Sequence, residues 1–237
     1  MIPKKIHYCW FGGNEIPSML QKSMATWNEF MPDYELVLWN EDNFDTNSVK
    51  WVKEAISVKK WAFVADYVRL YAIFTEGGIY LDTDVIVKNS FDRFLEHNFF
   101  TAVEDNKSQK GRRFLVQTAI FGAVAKHPYL KDCMNWYENK HFILQDGSFS
   151  DSFIAPDIYA QVAEKYGFIH KDDLQTLDNG MVIYPSDFFT NEKSRYSKDT
   201  YAIHWCSGSW RDRKNILKKI LSPIYRKMLC LKGLKYK

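Results

Sequence analysis

The sequence has few cysteines and no long apolar run, and each absence argues against a class of protein. Cys9, Cys133, Cys206 and Cys230 are scattered without CxxC spacing, which argues against a zinc cage and a disulfide framework. No run of 18 apolar residues occurs, so length alone predicts no membrane-spanning helix. The chain begins with a strand-like segment and shows no apolar signal region. We therefore expect a cytoplasmic protein with reduced thiols.

Internal repeats and low-complexity linkers are also absent, which favours a single domain. The 237 residues can enclose one sizeable core. Hydrophobic residues make up 46% and charged residues 26% of the chain, the balance of a soluble globular protein, so disorder is not expected. Aromatic residues are abundant at 16%, but they fill cores as well as line sugar and base sites. Composition therefore predicts a globular domain and no particular ligand.

Charge is distributed unevenly along the chain. Residues 211–237 contain ten Lys or Arg and one acid, a net charge of +9. Because the whole chain carries +3, the first 210 residues carry −6. We predict a domain over residues 1–210, whose acidity suits a bound cation, and a basic tail over residues 211–237 that meets an anionic partner.

The tail has two interpretations that its sequence leaves open. Apolar residues form a stripe between basic ones, with Pro223 as an interruption: Ile216, Leu217, Ile220, Leu221 and Ile224. Such a basic amphipathic segment can rest on an anionic membrane surface. It can equally be a helix that packs on the domain and leaves its basic face in water.

Apolar patterns divide the chain into alternating strands and helices. We predict strands over residues 6–11, 34–39, 79–81 and 85–87, and helices over residues 17–30 and 61–76. Looser patterns predict strand in part of residues 114–124, helices over 129–137 and 158–166, and strands over 181–184 and 201–205. Strands separated by helices indicate an α/β sandwich with a mostly parallel central sheet.

Two carboxylates interrupt an apolar stretch at residues 79–87, which read IYLDTDVIV. Asp82 and Asp84 are two residues apart, so in an extended segment their side chains point to the same side. Such a pair at a strand end can share one divalent cation, and Mn²⁺ or Mg²⁺ accepts oxygen ligands of this kind. The alternative is a solvated acidic turn between two hairpin strands.

Three further residues are candidates for the same site. Asp66 and Arg69 lie three apart on the predicted helix 61–76 and share a face. They can bind sugar hydroxyls or phosphate, or they can form an ordinary surface ion pair. His204 ends an apolar run before a Gly/Ser turn, where it can complete a cation site or serve a structural role.

Four segments in this order resemble the bacterial family 32 glycosyltransferases, which contain a DXD motif. They are residues 2–13 (IPKKIHYCWFGG), residues 34–40 (YELVLWN), residues 62–84 (AFVADYVRL through GGIYLDTD) and residues 202–210 (AIHWCSGSW). The helix with Asp-x-x-Arg and the DXD spacing are also similar to those of the clostridial glucosylating toxins. The resemblance spans nearly all of the chain up to residue 210.

This resemblance implies a GT-A fold, a nucleotide-sugar donor, and Mn²⁺ or Mg²⁺ held by the DXD motif. It implies that Trp10 stacks on the base and that Asp66 and Arg69 grip sugar and ribose hydroxyls. Asp82 would contact both ribose or sugar and metal, and Asp84 would ligate the metal. His204 would be a third metal ligand, and two residues of the last segment would approach the diphosphate: Ser209 and Trp210.

The function implied by the resemblance is transfer of a hexose from a nucleotide-sugar, with a UDP-sugar favoured, to a saccharide or lipid-linked saccharide. Capsule or surface polysaccharide synthesis and retention of anomeric configuration are further implications. We expect no nucleic-acid partner. The basic tail allows peripheral contact with the inner face of the membrane.

Two other functions remain open at this point. An apolar strand followed by Asp-x-Asp-x-Val is also typical of haloacid-dehalogenase-like phosphatases, although there the motif follows the first strand. A module that binds a nucleotide-sugar without catalysing transfer is the second alternative. Joint presence of Asp66, Arg69, Asp82, Asp84 and His204 argues for an enzyme.

Overall fold

Strands and helices alternate over residues 5–81, as the apolar patterns predict. The computed structural model describes residues 1–108, 111–150, 154–191 and 196–206. Within these, the strands are β1 (Lys5–Cys9), β2 (Glu35–Trp39), β3 (Gly78–Leu81), β4 (Val85–Val87), β5 (Phe99–Ser108), β6 (Gly111–Val116), β7 (Ile120–Ala123), β8 (Gln175–Leu177), β9 (Met181–Tyr184), β10 (Phe189–Asn191) and β11 (Ala202–His204). The α-helices are α1 (Ser18–Phe30), α2 (Lys50–Ser57), α3 (Trp61–Glu76), α4 (Pro128–Tyr137) and α5 (Ala155–Ala163).

The main sheet is mixed but runs mostly in one direction. Its strand order is β2-β1-β3-β7-β5-β9-β8, and β6 pairs with β5. From the pairings, β1, β2, β3, β5 and β9 point one way, and β6, β7 and β8 point the other. A smaller sheet has the order β10-β11-β4. The predicted α/β class with a mostly parallel central sheet is confirmed.

Each face of the main sheet has its own apolar core, which gives the sandwich its layers. Tyr80 of β3 belongs to the core that includes residues of α2, α3, α4 and α5. Its neighbours Ile79 and Leu81 belong to the opposite core, which includes Trp27 of α1. Side chains alternate along a strand, so β3 contributes to both cores and is buried at every position.

Most predicted elements are confirmed, and the misses have physical reasons. The predicted strand 114–124 is two strands, β6 and β7, because the buried Gln117 side chain binds the backbone N–H groups of Thr118 and Ala119 and interrupts pairing. The predicted helix 158–166 begins earlier, at Ala155, and its last three residues form a 3₁₀ turn. Helix α2 and strands β5, β8 and β10 were not predicted. Helix α2 has eight residues and β8 and β10 have three each, which is too short for a clear period, and the second half of β5 is polar.

Two predictions fall wholly or partly outside the described residues. The tail over residues 211–237 lies there, as do Ser209 and Trp210. The domain boundary at residue 210 therefore stays a prediction. None of the helices in the described part of the chain has the length and apolarity needed to cross a bilayer.

A buried histidine ties the first three parallel strands together. Nε2 of His7 in β1 lies 2.9 Å from the Gly77 carbonyl oxygen, and its Nδ1 accepts a hydrogen bond from Trp39 Nε1 at 2.9 Å. Because Nδ1 accepts, Nε2 carries the proton and donates it to Gly77. Burial lowers the pKa of His7, which keeps the ring neutral. Strands β1, β2 and the turn before β3 are thereby held in register.

The turn between α3 and β3 requires glycine at position 78. Gly78 has φ +114°, and a Cβ there would lie 2.9 Å from the Lys5 carbonyl oxygen and 3.0 Å from His7 Nε2. We predict that Gly78→Ala destabilises the fold by about 3 kcal/mol or more, because backbone strain adds to overlap with β1. Urea unfolding measures this.

Gly147 provides the matched control, since its φ is +80° but a Cβ there would meet nothing within 4 Å. Gly147→Ala should therefore cost about 1–2 kcal/mol, the backbone strain alone. Equal losses in the two variants would contradict the close approach of β1 to the turn.

Candidate metal centre

Asp82 and Asp84 lie in a turn that leaves the main sheet and enters the small one. The Asp82 N–H donates to the Ala119 carbonyl oxygen at 2.9 Å, and the Val85 N–H donates to the Asp82 carbonyl oxygen at 2.9 Å. Strands β3 and β4 on either side belong to different sheets, and Asp84 is only 9% exposed. The alternative of a solvated hairpin turn is therefore wrong.

Strand β11 brings His204 to this turn. It pairs antiparallel with β4, so that His204 lies opposite Val85. His204 Nε2 is 3.2 Å from Asp84 Oδ1 and 3.8 Å from Asp82 Oδ2. Ligand atoms of the three side chains all lie within 4.8 Å of one another. The structure thus gathers the three residues that the resemblance assigns to the metal.

The His204 ring experiences opposing electrostatic effects. Burial lowers its pKa, but the interactions with Cys206 and with the Asp84 carboxylate together outweigh burial and raise the pKa well above its ordinary value. A proton on this imidazole therefore compensates the carboxylates when no cation is bound. A proton and a metal ion compete for the same ring nitrogen.

These three side chains fit a divalent cation by their chemistry. Two carboxylates supply hard oxygen ligands, which both Mg²⁺ and Mn²⁺ accept, and an imidazole nitrogen suits Mn²⁺ better than Mg²⁺. Three protein ligands would leave coordination positions for phosphate oxygens and water. The donor set therefore agrees with the predicted DXD metal site and favours Mn²⁺.

Arg69 lies behind the turn, on α3, with a side chain only 6% exposed. Its NH2 is 3.0 Å from Asp66 Oδ1 and 3.5 Å from Asp82 Oδ1. Its NH1 donates to the Thr118 carbonyl oxygen at 2.9 Å. The interpretation of Asp66 and Arg69 as a surface ion pair is therefore wrong, because Arg69 is buried, the Asp66 side chain is only 15% exposed, and the pair extends to the DXD turn.

Tyr80 is a member of this cluster that the sequence did not identify. Its hydroxyl donates to Asp82 Oδ1 at 2.7 Å, and the Arg69 guanidinium lies 4.9 Å from the centre of its ring. The side chain is 1% exposed. Tyr80 therefore holds one oxygen of Asp82 and supports Arg69 through a cation–π contact.

The loop at residues 117–119 is the second feature that the sequence did not identify. Its carbonyl groups accept hydrogen bonds from Arg69 and from the Asp82 N–H. Gln117 shapes the loop from within, since its side-chain oxygen accepts from two successive N–H groups at 2.9 Å. Polar Gln117 and Thr118 inside an otherwise apolar run are the sequence signal that marks this loop.

Trp10 lies at the same edge of the sheet as the DXD turn. It follows β1, which runs parallel to β3, and the carboxyl ends of parallel strands meet at one edge. Its indole N–H donates to the Asn14 carbonyl oxygen at 2.6 Å, and its side chain is partly exposed. A Cβ on Gly12 would lie 2.8 Å from the Trp61 ring, so the loop packs closely on the start of α3.

Comparison with known proteins supports a relationship to sugar transferases. Residues 17–101 match a family model described as "Glycosyltransferase sugar-binding region containing DXD motif". This span contains Asp66, Arg69, Asp82 and Asp84. One relative over nearly the whole chain is an uncharacterized glycosyltransferase, L373, of Acanthamoeba polyphaga mimivirus. It is 23% identical over 225 residues, which are 92% of this chain and 87% of that protein.

Two yeast enzymes are also similar. Inositol phosphoceramide mannosyltransferase 2 of Schizosaccharomyces pombe is 22% identical over 225 residues, 90% of this chain and 59% of that enzyme. Inositol phosphoceramide mannosyltransferase 3 of the same yeast is 30% identical over 133 residues, 54% of this chain and 35% of that enzyme. The chain thus spans less than two thirds of the length of either enzyme.

Among solved structures, the galactosyltransferase LgtC in complex with donor and acceptor sugar analogs overlaps with a TM-score of 0.49 at 13% identity, over 98% of this chain and 97% of that one. The PaToxG glycosyltransferase overlaps with a TM-score of 0.46 at 16% identity, and the overlap covers 69% of this chain and 68% of that one. The family model and the curated relatives confirm the predicted relationship to glycosyltransferase enzymes. The capsule subtype stays a prediction.

Asp66 gives this cluster a pH-dependent stability. Burial raises the pKa of its carboxyl, opposed by Arg69 and reinforced by Asp82, from 3.8 to about 6. The folded state therefore binds the proton more tightly than the unfolded state, and stability falls as pH rises through about 4 to 6. We predict that the unfolding free energy of Asp66→Asn, measured relative to the wild type, rises by about 1–2 kcal/mol from pH 5 to pH 7.5, because only the wild type has a carboxyl group that loses its proton in this range.

Urea unfolding of the metal-free protein at both pH values measures this difference. Asp178→Asn is the control, because it makes the same charge change at an exposed position and should behave alike at both pH values. If the stability difference between Asp66→Asn and the wild type did not change with pH, the raised pKa of Asp66 would be contradicted.

Proposed function

We propose that the protein is a divalent-metal-dependent glycosyltransferase that moves a sugar from a nucleotide-sugar to a saccharide or lipid-linked saccharide acceptor. The observation that carries the proposal is the convergence of Asp82, Asp84 and His204 within 4.8 Å, beside the buried Arg69. The match to a DXD sugar-transferase family model across this region supports it.

In this proposal Asp82, Asp84 and His204 hold Mn²⁺ or Mg²⁺, with Mn²⁺ favoured by the imidazole. The ion, when bound, acts as a Lewis acid that neutralises charge on the departing nucleoside diphosphate. The protein's own groups do the positioning. Asp82 is held by Tyr80 and Arg69, so the oxygens it presents to cation and sugar are fixed before the donor binds.

Asp66 and Arg69 form the wall that receives the donor sugar and ribose. A carboxylate accepts hydrogen bonds from sugar hydroxyls, and the 15% exposure of the Asp66 side chain leaves an edge accessible. Arg69 fixes that carboxylate at 3.0 Å. Such a preset geometry lets an acceptor hydroxyl approach the anomeric carbon without a further entropic cost for ordering the donor. The proposal includes retention of anomeric configuration.

The donor is proposed to be a UDP-sugar and the sugar a hexose. The names of the yeast relatives, which are mannosyltransferases, make mannose a candidate hexose and require that GDP-sugars be tested beside UDP-sugars. The same names mention inositol phosphoceramide, a lipid, and this supports a lipid-linked acceptor. A role in capsule or surface polysaccharide synthesis belongs to the same proposal.

A lipid-linked acceptor would place the reaction near a membrane. We propose that the chain works in the cytoplasm, with peripheral contact to the inner face of the membrane through the basic residues 211–237. Their net charge of +9 would attract anionic lipid headgroups. No nucleic-acid partner is proposed.

The two alternative functions have less support. A phosphatase of the haloacid-dehalogenase type would use a DxD after its first strand, whereas Asp82 follows β3 and a full helix. A non-catalytic module is less favoured because the curated relatives named for an activity are transferases. Release of phosphate from simple phosphoesters would favour the first alternative, and donor binding without any transfer would favour the second.

A thermal-shift screen of UDP- and GDP-sugars, with and without Mn²⁺, tests the proposed function. At about a hundredfold excess over Kd, we predict a rise in Tm of about 5–10 °C that requires both metal and one nucleotide class. Asp84→Asn should keep the fold but lose the shift, because a cation ligand is missing.

Asp178→Asn, which neutralises an exposed acid away from the cluster, should keep the full shift. A metal-dependent shift of wild-type size in Asp84→Asn would overturn the site assignment. No shift of the wild type with any nucleotide and any divalent ion would overturn the proposed function.

Trp10 tests the base-binding part of the site separately. We predict that Trp10→Ala raises the donor KM about tenfold or more with little change in kcat, because aromatic stacking on a base contributes about 1–3 kcal/mol. Trp10→Phe keeps an aromatic face and should recover most of the affinity. An unchanged KM in Trp10→Ala would remove Trp10 from the donor site.

A further inference from the structure

His204 uses its two ring nitrogens in different directions. Nε2 faces the carboxylates, 3.2 Å from Asp84 Oδ1. Nδ1 faces away from them and lies 3.5 Å from the Cys206 sulfur. A neutral imidazole carries its proton on one nitrogen and a lone pair on the other, and the partner of one nitrogen determines what the other presents. Whether Cys206 accepts a hydrogen bond from Nδ1 therefore affects whether Nε2 has a lone pair available for a cation.

The backbone after β11 is bent so that the Cys206 thiol returns to the ring. Cys206 has φ +47°, the left-handed region that side chains other than glycine rarely adopt. The Trp205 N–H between the two residues donates to the Asp84 carbonyl oxygen at 3.2 Å. The surrounding structure thus maintains an unfavourable backbone conformation at Cys206, and this conformation brings the Cys206 sulfur into contact with His204 Nδ1.

Cys206 differs in its surroundings from the other cysteines of the described residues. Cys9 and Cys133 are buried in the core packed against the helices, and burial raises the pKa of both thiols, that of Cys9 to about 12. Their positions are explained by packing. Cys206 is partly exposed and belongs to no apolar core in that part of the chain, so packing does not explain it.

We propose that Cys206 is a positioning residue for the cation site. Its sulfur accepts the hydrogen of His204 Nδ1–H, which fixes the ring and directs the Nε2 lone pair toward the cation that Asp82 and Asp84 hold. Outer partners of this kind usually are carboxylates or carbonyl groups, and their loss lowers metal affinity about 10- to 100-fold. Sulfur is a weaker acceptor, so the effect belongs at the low end of this range.

The inference rests on the cation-binding part of the proposed function, and its test needs neither donor nor acceptor. Mn²⁺ is titrated into the full chain and free Mn²⁺ is followed by electron paramagnetic resonance. We predict that Cys206→Ala raises the Kd for Mn²⁺ about tenfold. Cys206→Ser keeps an acceptor at the same position and should stay within about threefold of the wild type.

Cys133→Ala is the matched control, because it makes the same substitution in the core of α4. It should lower Tm and leave the Kd for Mn²⁺ unchanged, which separates loss of stability from loss of a ligand partner. A wild-type Kd in Cys206→Ala would overturn the inference. Equal weakening in Cys206→Ala and Cys206→Ser would also overturn it, since side-chain shape rather than a hydrogen bond would then matter.

Failure of the proposed cation site would look different. If the wild type itself bound no Mn²⁺, both the metal dependence and the role of Cys206 would be overturned. If the wild type bound Mn²⁺ and Asp84→Asn did not, while Cys206→Ala bound normally, the cation site would stand and only the role of Cys206 would fall.

Discussion

The buried charge of Arg69 is the constraint on which the rest of the site depends. Its guanidinium is balanced by Asp66 and Asp82 at 3.0 and 3.5 Å and by the Thr118 carbonyl oxygen at 2.9 Å. Loss of one member of such a buried pair typically costs about 3–5 kcal/mol, because the remaining charge has no partner. Helix α3, the turn after β3 and the loop before β7 are therefore held in one arrangement.

Negative charge still exceeds positive charge in this cluster. Asp66, Asp82 and Asp84 face Arg69 and, when it is protonated, His204. Burial and the nearby Asp82 raise the pKa of Asp66, so its ionised form is costly in this cluster. A divalent cation between the DXD carboxylates would relieve this imbalance and bring its own capacity for phosphate oxygens. The excess of negative charge in the acidic cluster thus supports the proposed cation site.

The sequence predicts which residues form the candidate cation site, but it does not predict the neighbouring groups that hold those residues in place. Asp82, Asp84 and His204 were predicted from residue type and resemblance, and the α/β class follows from apolar periods. The Thr118 carbonyl under Arg69 was not predicted, because it depends on the pairing of β3 with β7. The hydrogen bond from Tyr80 to Asp82 is local and was missed because Tyr80 was interpreted only as part of an apolar strand. The Cys206–His204 contact was not predicted either, because it needs a left-handed backbone conformation at Cys206, which a cysteine in a sequence does not indicate. Pairings between distant segments are set by tertiary packing, which local patterns do not encode.

Anomalous diffraction from crystals grown with Mn²⁺ and UDP tests the central claim most directly. The account predicts one manganese peak between Asp82, Asp84 and His204, at about 2.0–2.3 Å from its protein ligands, with diphosphate oxygens completing its coordination. A nucleotide bound at the carboxyl edge of β1 and β3 without metal at these residues, or a manganese peak elsewhere, would contradict it.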